Sequence, residues 1–396
     1  MENLRTKQGF RVSSIDILRG FIMLIMALDH VRDYFHSQAM IDQPTNLLTT
    51  TPQLFFTRWI THYCAPLFLF LSGISAFLSG QRKTKKELSV FLIKRGLWLI
   101  LAEIFIMTFI LSFNPTYSLI LLVVIWAIGW SMIILGLLIR TSYLTIAVVA
   151  IILVFGHNIT DYLPPVKNAT AEAFLRIFVS GSGTVYPFAG RSVLFAYAIL
   201  PWTGIMLLGF SFGQLYKTDF DAIRRKKILL WSGLGTIALF VVLRFINHYG
   251  DPSPWASQKN GQYTFLSFIN TTKYPVSLQF TCMTLGPGLI ILSLLDNIKD
   301  GWFNFVKVYG KVPFFFFAGH FLLAHILCVI AFFATGHTTD QIVDPNSPFL
   351  FRPVDFGFSL RTTYLIWLQV VLFMYYPCKW YGRYKETHRK WWLSYL

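Results

Sequence analysis

Apolar runs of about 20 residues recur along the whole chain, and this feature restricts the fold more than any other. A helix of that length spans the ~30 Å hydrocarbon core of a bilayer. In lipid, only helices and closed barrels satisfy every backbone polar group. The expected fold class is therefore all-α, a polytopic membrane helix bundle of about ten transmembrane helices. The ten runs lie near residues 15–36, 53–79, 88–112, 118–139, 142–157, 191–216, 228–248, 276–298, 312–336 and 362–380.

The distribution of the basic residues predicts an orientation in the membrane. A net charge of +16 raises the question of a nucleic-acid partner. However, Lys and Arg are concentrated in alternate connections between the apolar runs, 21 in one set and 7 in the other. Such a bias orients membrane proteins and places the richer set in the cytoplasm. We therefore expect both termini to be cytoplasmic, the lipid bilayer to be a partner, and no nucleic acid to bind. Without an internal repeat or a long linker, residues 1–396 are predicted to form a single transmembrane domain.

The first apolar run, Ser13–Phe35, carries ionisable residues that cost ~2.5 to 3.5 kcal/mol each to place in a membrane. Arg19 and His30 are eleven residues apart, so they return to within about 20° of one helix face, ~16 Å apart along the axis. Asp16 precedes Arg19 by three residues and Asp33 follows His30 by three, so each is expected to contact its neighbour. This arrangement indicates a functional site. The alternative is that these residues only satisfy one another inside the bundle.

The predicted orientation gives these side chains different roles. Arg19 falls near the cytoplasmic surface, where it can bind a phosphate or orient Asp16. His30 falls in the outer half of the bilayer, where a neutral imidazole can act as a general base or carry an acyl group. Asp33 or Asp29 is then expected to orient the His30 ring.

Several segments resemble known membrane enzymes. SSIDILRGFIMLIMALDH, which starts at Ser13, is similar to the first-helix signature of transmembrane acyltransferases, including acyltransferase-3 proteins. That signature has an arginine and a histidine separated by ten residues, and Arg19 and His30 match both. The chain resembles more closely the bacterial heparan-alpha-glucosaminide N-acetyltransferase-like family, which it is also similar to in PWTGIMLLGFSFG (201–213), TKYPVSLQFTCMTLGPG (272–288) and YGKVPFFFFAGHFLLAH (309–325).

This resemblance implies a transmembrane acyltransferase of the bacterial inner (plasma) membrane. Such an enzyme takes an acyl group from cytoplasmic acetyl-CoA or another acyl-CoA and passes it to an acceptor, often a carbohydrate, at the outer side. In animal members of the family the catalytic histidine lies beyond the first helix, and the position matching His30 is not a histidine. His36 is therefore a second candidate. A proton-coupled secondary transporter is the alternative function, and a homodimer is an open alternative for the assembly.

Polar residues in the other apolar runs are weaker candidates. His320 lies roughly eight residues from the inner surface, a depth that a CoA arm can reach. Lys311, in the GKVP segment at the inner face, is expected to attract phosphate. Glu103 is expected either to pair with a histidine or to serve helix packing. Arg58 and His62, four residues apart, are expected either to hold the acceptor or to lie at the membrane interface.

Four further expectations follow from the residue pattern. Neither a metal-ligand cluster nor a Gly-rich phosphate loop is present in the sequence, so no metal is expected. The four cysteines are expected to be packing residues. Pro287, in TLGPG, is expected to interrupt its helix, because proline lacks the N–H that continues the hydrogen-bond pattern. The loop over residues 247–275 is expected either to cover an acceptor site or only to connect two helices.

Overall fold

The computed structural model describes residues 12–181, 183–296, 298, 301–388, 390 and 393. Helices dominate these residues, and short one-turn helices join several of them. The α-helices are α1 (Ser13–Phe35), α2 (Pro52–Thr61), α3 (Cys64–Gly80), α4 (Lys85–Ala102), α5 (Thr108–Ser112), α6 (Val124–Leu138), α7 (Tyr143–Gly156), α8 (Ala169–Leu175), α9 (Ile199–Phe212), α10 (Ala222–Ile246), α11 (Gly261–Ile269), α12 (Leu278–Leu295), α13 (Asn304–Gly310), α14 (Pro313–Ala334) and α15 (Leu360–Thr387).

Six helical segments of the described chain are long and apolar enough to cross a membrane. They are residues Pro52–Gly80, Tyr143–Tyr162, Ile199–Tyr216, Ala222–Ile246, Leu278–Leu295 and Pro313–Ala334. The protein is therefore an integral membrane protein built mainly from helices. Each of the ten predicted apolar runs overlaps at least one of the helices named above.

Polar residues at the ends of the apolar runs start many of these helices. Thr84 accepts a hydrogen bond from Glu87 N, and the Glu87 carboxylate accepts one from Thr84 N in return, which forms a capping box. Ser277 caps α12 and Ser359 caps α15 in a simpler way, each with its hydroxyl. Such caps satisfy backbone N–H groups that have no partner within the helix.

Two stretches that were predicted as helix are strands, so the all-α expectation is wrong there. Strand β1 (Leu119–Leu122) pairs in parallel with β3 (Arg191–Phe195), which pairs antiparallel with β2 (Thr184–Phe188). Ala189 and Gly190 join β2 to β3 with φ values of 50° and 74°, as a two-residue hairpin turn requires. Pairing between distant segments makes these stretches strands. An apolar run alone does not distinguish a strand from the end of a helix.

The predicted interruption of α12 at Pro287 is also wrong, because the helix continues from Leu278 to Leu295. The flanking glycines serve close packing. A Cβ on Gly286 would lie 2.6 Å from Ile237 Cγ1 of α10, and one on Gly288 would lie 2.2 Å from a methyl group of Leu67 in α3. Close packing on two sides therefore supports α12 as a continuous helix through the proline.

Helix pairs in the bundle cross at glycines. Where α1 meets α13, a Cβ on Gly20 would lie 2.2 Å from Val306 O, and one on Gly310 would lie 2.0 Å from Asp16 O. The same close approach joins α3 to α9, α4 to α6 and α10 to α12, at Gly73 and Gly209, Gly96 and Gly129, and Gly233 and Gly286. Small residues at crossings are the usual way in which membrane helices gain packing contacts.

Helix α1 lies at the centre of the bundle. It packs against α2, α3, α12, α13, α14 and α15, and most of its residues are buried. The cysteines Cys64, Cys282, Cys328 and Cys378 are all free and buried, which confirms the prediction that they pack. The ionisable residues of α1 are therefore inside the protein rather than in contact with lipid.

Two buried arginines form hydrogen bonds that hold loops in place at the end of the bundle where α1 ends. Arg244, at the end of α10, uses its five N–H donors on the carbonyl oxygens of Ser253, Ser267, Phe268 and Asn270 and on the amide oxygen of Gln279. Arg352 donates to the carbonyl oxygens of Asp33, His36, Pro353 and Phe356. We call these two side chains, with their acceptors, the arginine cages.

Candidate active site beside helix α1

A single cavity of about 260 Å³ runs between α1, α3, α4 and α6. One end, which we call the basic end, is lined by cations from α1, α4, the end of α13 and the last turns of α15. They are Arg19, Arg95, Lys311 and Lys385. The other end, which we call the histidine end, is lined by Asp29, His30, Tyr197 and Lys273. Arg19 and His30 thus face the same cavity, as their spacing predicts.

Arg19 is held firmly at the basic end. One guanidinium nitrogen donates to Asp16 Oδ1 at 3.1 Å and to Gly310 O at 3.2 Å. The other donates to Ser75 Oγ at 2.7 Å. The predicted Asp16–Arg19 contact is therefore confirmed. Because these bonds tie α1 to α13 and α3, Arg19 presents its charge from a fixed position.

The remaining cations of the basic end come from three different helices or their ends. Lys311 follows α13 and forms an ion pair of 3.0 Å with Glu386 in α15. Arg95 lies on α4, and Lys385 lies beside Glu386 on α15. The fold thus assembles a cationic surface from distant parts of the chain. Such a surface attracts phosphate groups.

His30 and His320 form a pair deep in the bundle. Nδ1 of His30 and Nε2 of His320 are 2.8 Å apart, and Nδ1 of His320 lies 2.8 Å from Phe316 O. A carbonyl oxygen only accepts, so Nδ1 of His320 carries a proton. In a neutral His320 ring Nε2 is then an acceptor, and Nδ1 of His30 donates to it. This tautomer leaves a lone pair on Nε2 of His30.

Aromatic rings fix the plane of the His30 imidazole. Phe321 stacks on it with ring centroids 4.0 Å apart, and Phe317 meets it edge-on at 6.1 Å. Both phenylalanines belong to α14, as His320 does. One helix therefore supplies both the hydrogen-bond partner and the packing surface of His30, which leaves little freedom for its ring.

The expected contact between His30 and Asp33 is absent from the described hydrogen bonds, and this prediction is wrong. Asp33 instead accepts from Arg32 at 2.6 Å. Asp29 accepts from Arg32 at 3.1 Å and also from Arg58. The carboxylates bind guanidinium groups because a full positive charge in a buried setting attracts them more strongly than a neutral imidazole. The ring of His30 is oriented by His320 instead.

His36, the second candidate histidine, lies beyond the end of α1. It is not among the described residues that line the cavity. Its backbone pairs with Phe358 and its carbonyl oxygen accepts from Arg352. Burial, with Arg32 and Arg352 nearby, lowers the pKa of His36 below the ordinary value. His36 therefore belongs to an arginine cage, whereas His30 belongs to the cavity.

The structure also gives the partners of Glu103, Arg58 and His62. Glu103 does not contact a histidine among the described residues. Its carboxylate accepts from Val123 N at 2.7 Å, just before α6. Arg58 pairs with Asp29, and His62 packs against Phe280 with ring centroids 5.2 Å apart. Arg58 therefore belongs to the ion cluster around Asp29, and His62 belongs to the core.

Lys273 and Tyr197 at the histidine end were not identified from the sequence as site residues. Lys273 lies in the segment between α11 and α12, and Tyr197 lies just before α9. One available signal was the position of Lys273 within TKYP, one of the segments that carried the family resemblance. One of the two expectations for the loop over residues 247–275, that it covers an acceptor site, pointed to this region without naming Lys273.

The fold and the cavity define a helical membrane protein with a polar site inside its bundle, where cations line one end and His30 lines the other. Comparison with known families makes this class more specific. The family description "Heparan-alpha-glucosaminide N-acetyltransferase, catalytic" matches residues 11–245. The chain belongs to this family of membrane acetyltransferases, as the sequence resemblance predicted. No curated protein matches the chain. The family assignment gives no support to the transporter alternative.

Proposed function

We propose that this protein moves an acetyl or other acyl group from cytoplasmic acyl-CoA to a carbohydrate-type acceptor at the outer side of the membrane. The family supplies the reaction class. The single observation that carries the proposal is one cavity lined both by the cations of the basic end and by His30. A cytoplasmic donor and an outer acceptor can meet only where such a cavity crosses the bundle.

The proposed orientation has ten transmembrane segments, one for each predicted apolar run, within a single domain of an inner (plasma) membrane protein. Both termini and the basic end face the cytoplasm. The threefold excess of Lys and Arg in one set of connections supports this orientation. In this orientation the basic end, which would bind the phosphates of acyl-CoA, faces the cytoplasm, where acyl-CoA is present. The histidine end then lies toward the outer side, where the acceptor is present.

The basic end would bind the phosphates of acyl-CoA. Arg19, Lys311 and the neighbouring cations supply charge-assisted donors. From Arg19 the cavity follows α1 for eleven residues to His30, which corresponds to ~16 Å. A pantetheine arm is a flexible, mostly uncharged chain that suits a passage lined by Phe68, Ser72 and Ile128. The thioester would then lie beside His30.

In the proposed reaction His30 acts as a general base. The lone pair on its Nε2 takes a proton from the acceptor's amine or hydroxyl group as that group attacks the thioester carbonyl carbon. The C–S bond breaks, and the thiolate of CoA leaves and takes up the proton from His30. His320 accepts from Nδ1 of His30 and thereby stabilises the imidazolium that forms between the two proton transfers. The negative charge of Asp29, which lines the same end of the cavity, also favours the imidazolium form of His30.

Transfer of labelled acetyl groups from acetyl-CoA to a panel of amino sugars, with purified protein in nanodiscs, tests the proposal. We expect His30→Ala to lower kcat by about 10²- to 10⁴-fold, the usual contribution of a general base. His36→Ala is the matched control and should retain most of the turnover. Incubation with acetyl-CoA alone should leave no label on the protein.

Two outcomes would count against this function. If no acceptor is acetylated while acetyl-CoA neither binds nor is consumed, the protein is not an acyltransferase of this kind. If His30→Ala keeps wild-type turnover and His36→Ala loses it, transfer takes place outside the cavity and the assignment of the base is wrong.

A further inference from the structure

An open groove of about 490 Å³ lies on the side of α1 that faces away from the cavity. Leu28 lines the groove, whereas Met26 and His30, each two residues from it, line the cavity. Two residues correspond to about 200° around a helix, so Leu28 projects almost opposite to both. The groove is thus separate from the candidate active site. Its other walls are α2 and the start of α15, with Pro52, Gln53, Phe56, Thr57, Ile60 and Tyr364.

The hydroxyl groups in the groove are already bound to protein atoms. Thr57 donates its only hydroxyl proton to Gln53 O at 2.7 Å. The hydroxyl groups of Thr57 and Tyr364 also bond to each other, so Tyr364 is the donor in that contact. Neither group has a proton left for a ligand. The wall around Leu28 and Ile60 is hydrocarbon, so the groove suits an apolar chain rather than a polar molecule.

The apolar surface of the groove continues onto the outside of the bundle. Phe56 and Ile60 are exposed on α2, which belongs to a segment long and apolar enough to cross a membrane. On α15, the exposed Leu365 and Leu368 follow Tyr364 within about one turn. In an integral membrane protein this continuous surface faces the hydrocarbon of the bilayer. Water in the groove would lack polar partners, whereas a hydrocarbon chain gains dispersion contacts.

A polar side chain lies at one end of the groove. Gln53 is exposed in the first turn of α2, and no described hydrogen bond uses its side-chain amide. Ile60 lies seven residues further along, which corresponds to ~10 Å on the helix axis. The amide N–H groups of Gln53 can donate to an ester or phosphate oxygen. The groove therefore offers a donor at one end and an apolar surface beyond it, which match the ester region and an acyl chain of a phospholipid.

We propose that the groove binds one phospholipid of the surrounding bilayer, with an acyl chain between α2 and α15 and an ester or phosphate oxygen on the amide of Gln53. In the proposed orientation this lipid belongs to the outer leaflet, because α1 ends and α2 begins on that side. The bound lipid stabilises the bundle, since it binds the folded protein and not the unfolded chain. This site goes beyond the proposed function and does not depend on acyl transfer.

Photolabelling in detergent micelles tests this site. The probe is phosphatidylethanolamine with a photoactivatable diazirine in one acyl chain, added to the purified and delipidated full chain. We expect peptides of α2 and of the start of α15 to be labelled to saturation. Excess unlabelled phosphatidylethanolamine should displace this label. Labelling of the exposed surface of α7 around Ile151 should instead rise in proportion to the probe, as a non-specific contact does.

Two tryptophan substitutions form a matched pair. Ile60→Trp places a larger side chain where the acyl chain lies. It should lower the saturable labelling by about 10-fold or more, since losing the burial of two methylene groups has an effect of that size. Ile151→Trp makes the same change on the exposed surface of α7 and should leave that labelling unchanged. Added phosphatidylethanolamine should raise the Tm of wild type and of Ile151→Trp, but not that of Ile60→Trp.

A third variant tests the polar end of the groove. Gln53→Ala should weaken binding of the phospholipid probe by about 2- to 10-fold, the effect of one neutral hydrogen bond. It should not change labelling around Ile151. Neither this measurement nor the wild-type saturation curve requires Ile60→Trp to fold, so the test is still decisive if that variant misfolds.

Three results would overturn the inference. Labelling of α2 and α15 that does not saturate in wild type would mean ordinary contact with lipid. A photoactivatable fatty acid that saturates the groove as readily as the phospholipid, with no effect of Gln53→Ala on either probe, would identify a free acyl chain as the occupant. Chemical crosslinks between the grooves of two chains would identify a second copy instead. None of these measurements uses acetyl-CoA or an acceptor, so a failure of the proposed function is distinguishable from a failure of this site.

Discussion

The cavity beside α1 and the two arginine cages are both ionic regions buried in an apolar protein, yet their side chains are used differently. Arg244 and Arg352 direct their donors at carbonyl and amide oxygens of loops. In the cavity, Arg19 and His30 are anchored on one side and border an open space on the other. Sequence position alone does not separate the two cases, because each residue lies in or beside an apolar segment.

The difference gives a criterion for interpreting buried charge. A guanidinium group whose donors are directed mainly at backbone carbonyl oxygens contributes to stability, and its removal leaves several buried carbonyl groups without partners. A charged or titratable group that is held in place and still borders a cavity is available to a ligand. The predictions below use this criterion to separate effects on folding from effects on activity.

The largest effect is expected at Arg244. Arg244→Met removes five hydrogen bonds from the loop between α10 and α12. Each buried acceptor left without a partner costs ~1 to 3 kcal/mol, so we expect unfolding free energy to fall by at least about 3 kcal/mol. Thermal unfolding in detergent measures it as a strongly lowered Tm. Arg361→Met, which changes an exposed arginine, is the control. Equal Tm values for the two variants would show that the cage is not structural.

The next effect is expected at Arg19. Arg19→Met should raise the KM for acetyl-CoA about 10-fold or more, because a charged hydrogen-bond donor to phosphate is lost, while kcat changes less. Ser75→Ala removes one anchor of Arg19 and keeps its charge, so it should raise the KM only slightly. A similar rise in both variants would mean that Arg19 acts only by joining helices.

A smaller effect is expected at the ion pair between Lys311 and Glu386, which is partly exposed. Such pairs account for about 0.2 to 1 kcal/mol, so the changes should be within about fivefold. Lys311→Met should raise the KM for acetyl-CoA, and Glu386→Gln should lower it by removing a negative charge from the basic end. Shifts in the same direction would contradict a phosphate-binding role for this end.

The smallest effect concerns pH and His36. Because its pKa is lowered in the folded protein, the folded state favours the neutral ring, and the unfolded state takes up a proton near the ordinary value of about 6.5. Its contribution to stability is therefore present above that pH and is lost as the pH falls below it. Tm measured from pH 7.5 to 5.5 should fall less steeply in His36→Gln than in wild type. His248→Gln, at an exposed histidine, should follow the wild-type slope.

The sequence predicted much of the helical architecture for simple physical reasons. Apolar runs had the right length for helices, and each of them overlaps an observed helix. It failed where long-range contacts decide the structure. The pairing of β1 with β3 joins residues more than 70 positions apart, and the packing of α10 and α3 on α12 keeps that helix continuous at Pro287.

The site was predictable only within one helix. The spacing of Arg19 and His30 and the contact of Asp16 with Arg19 follow from helix geometry. The partners supplied by other helices were not predictable. Arg58 pairs with Asp29, and His320 forms the hydrogen bond with Nδ1 of His30. Both contacts depend on how the helices pack. Lys273 reaches the cavity from a loop, whose position no periodicity describes.

The position of bound acetyl-CoA in a cryo-electron microscopy map would test the central claim most directly. The account predicts that the phosphates lie at the basic end, near Arg19 and Lys311. It also predicts that the thioester carbon lies about 5 Å from Nε2 of His30, so that an acceptor amine or hydroxyl group fits between them within hydrogen-bond reach of the base. A thioester located beside His36, or a nucleotide bound at the histidine end near Lys273, would contradict it.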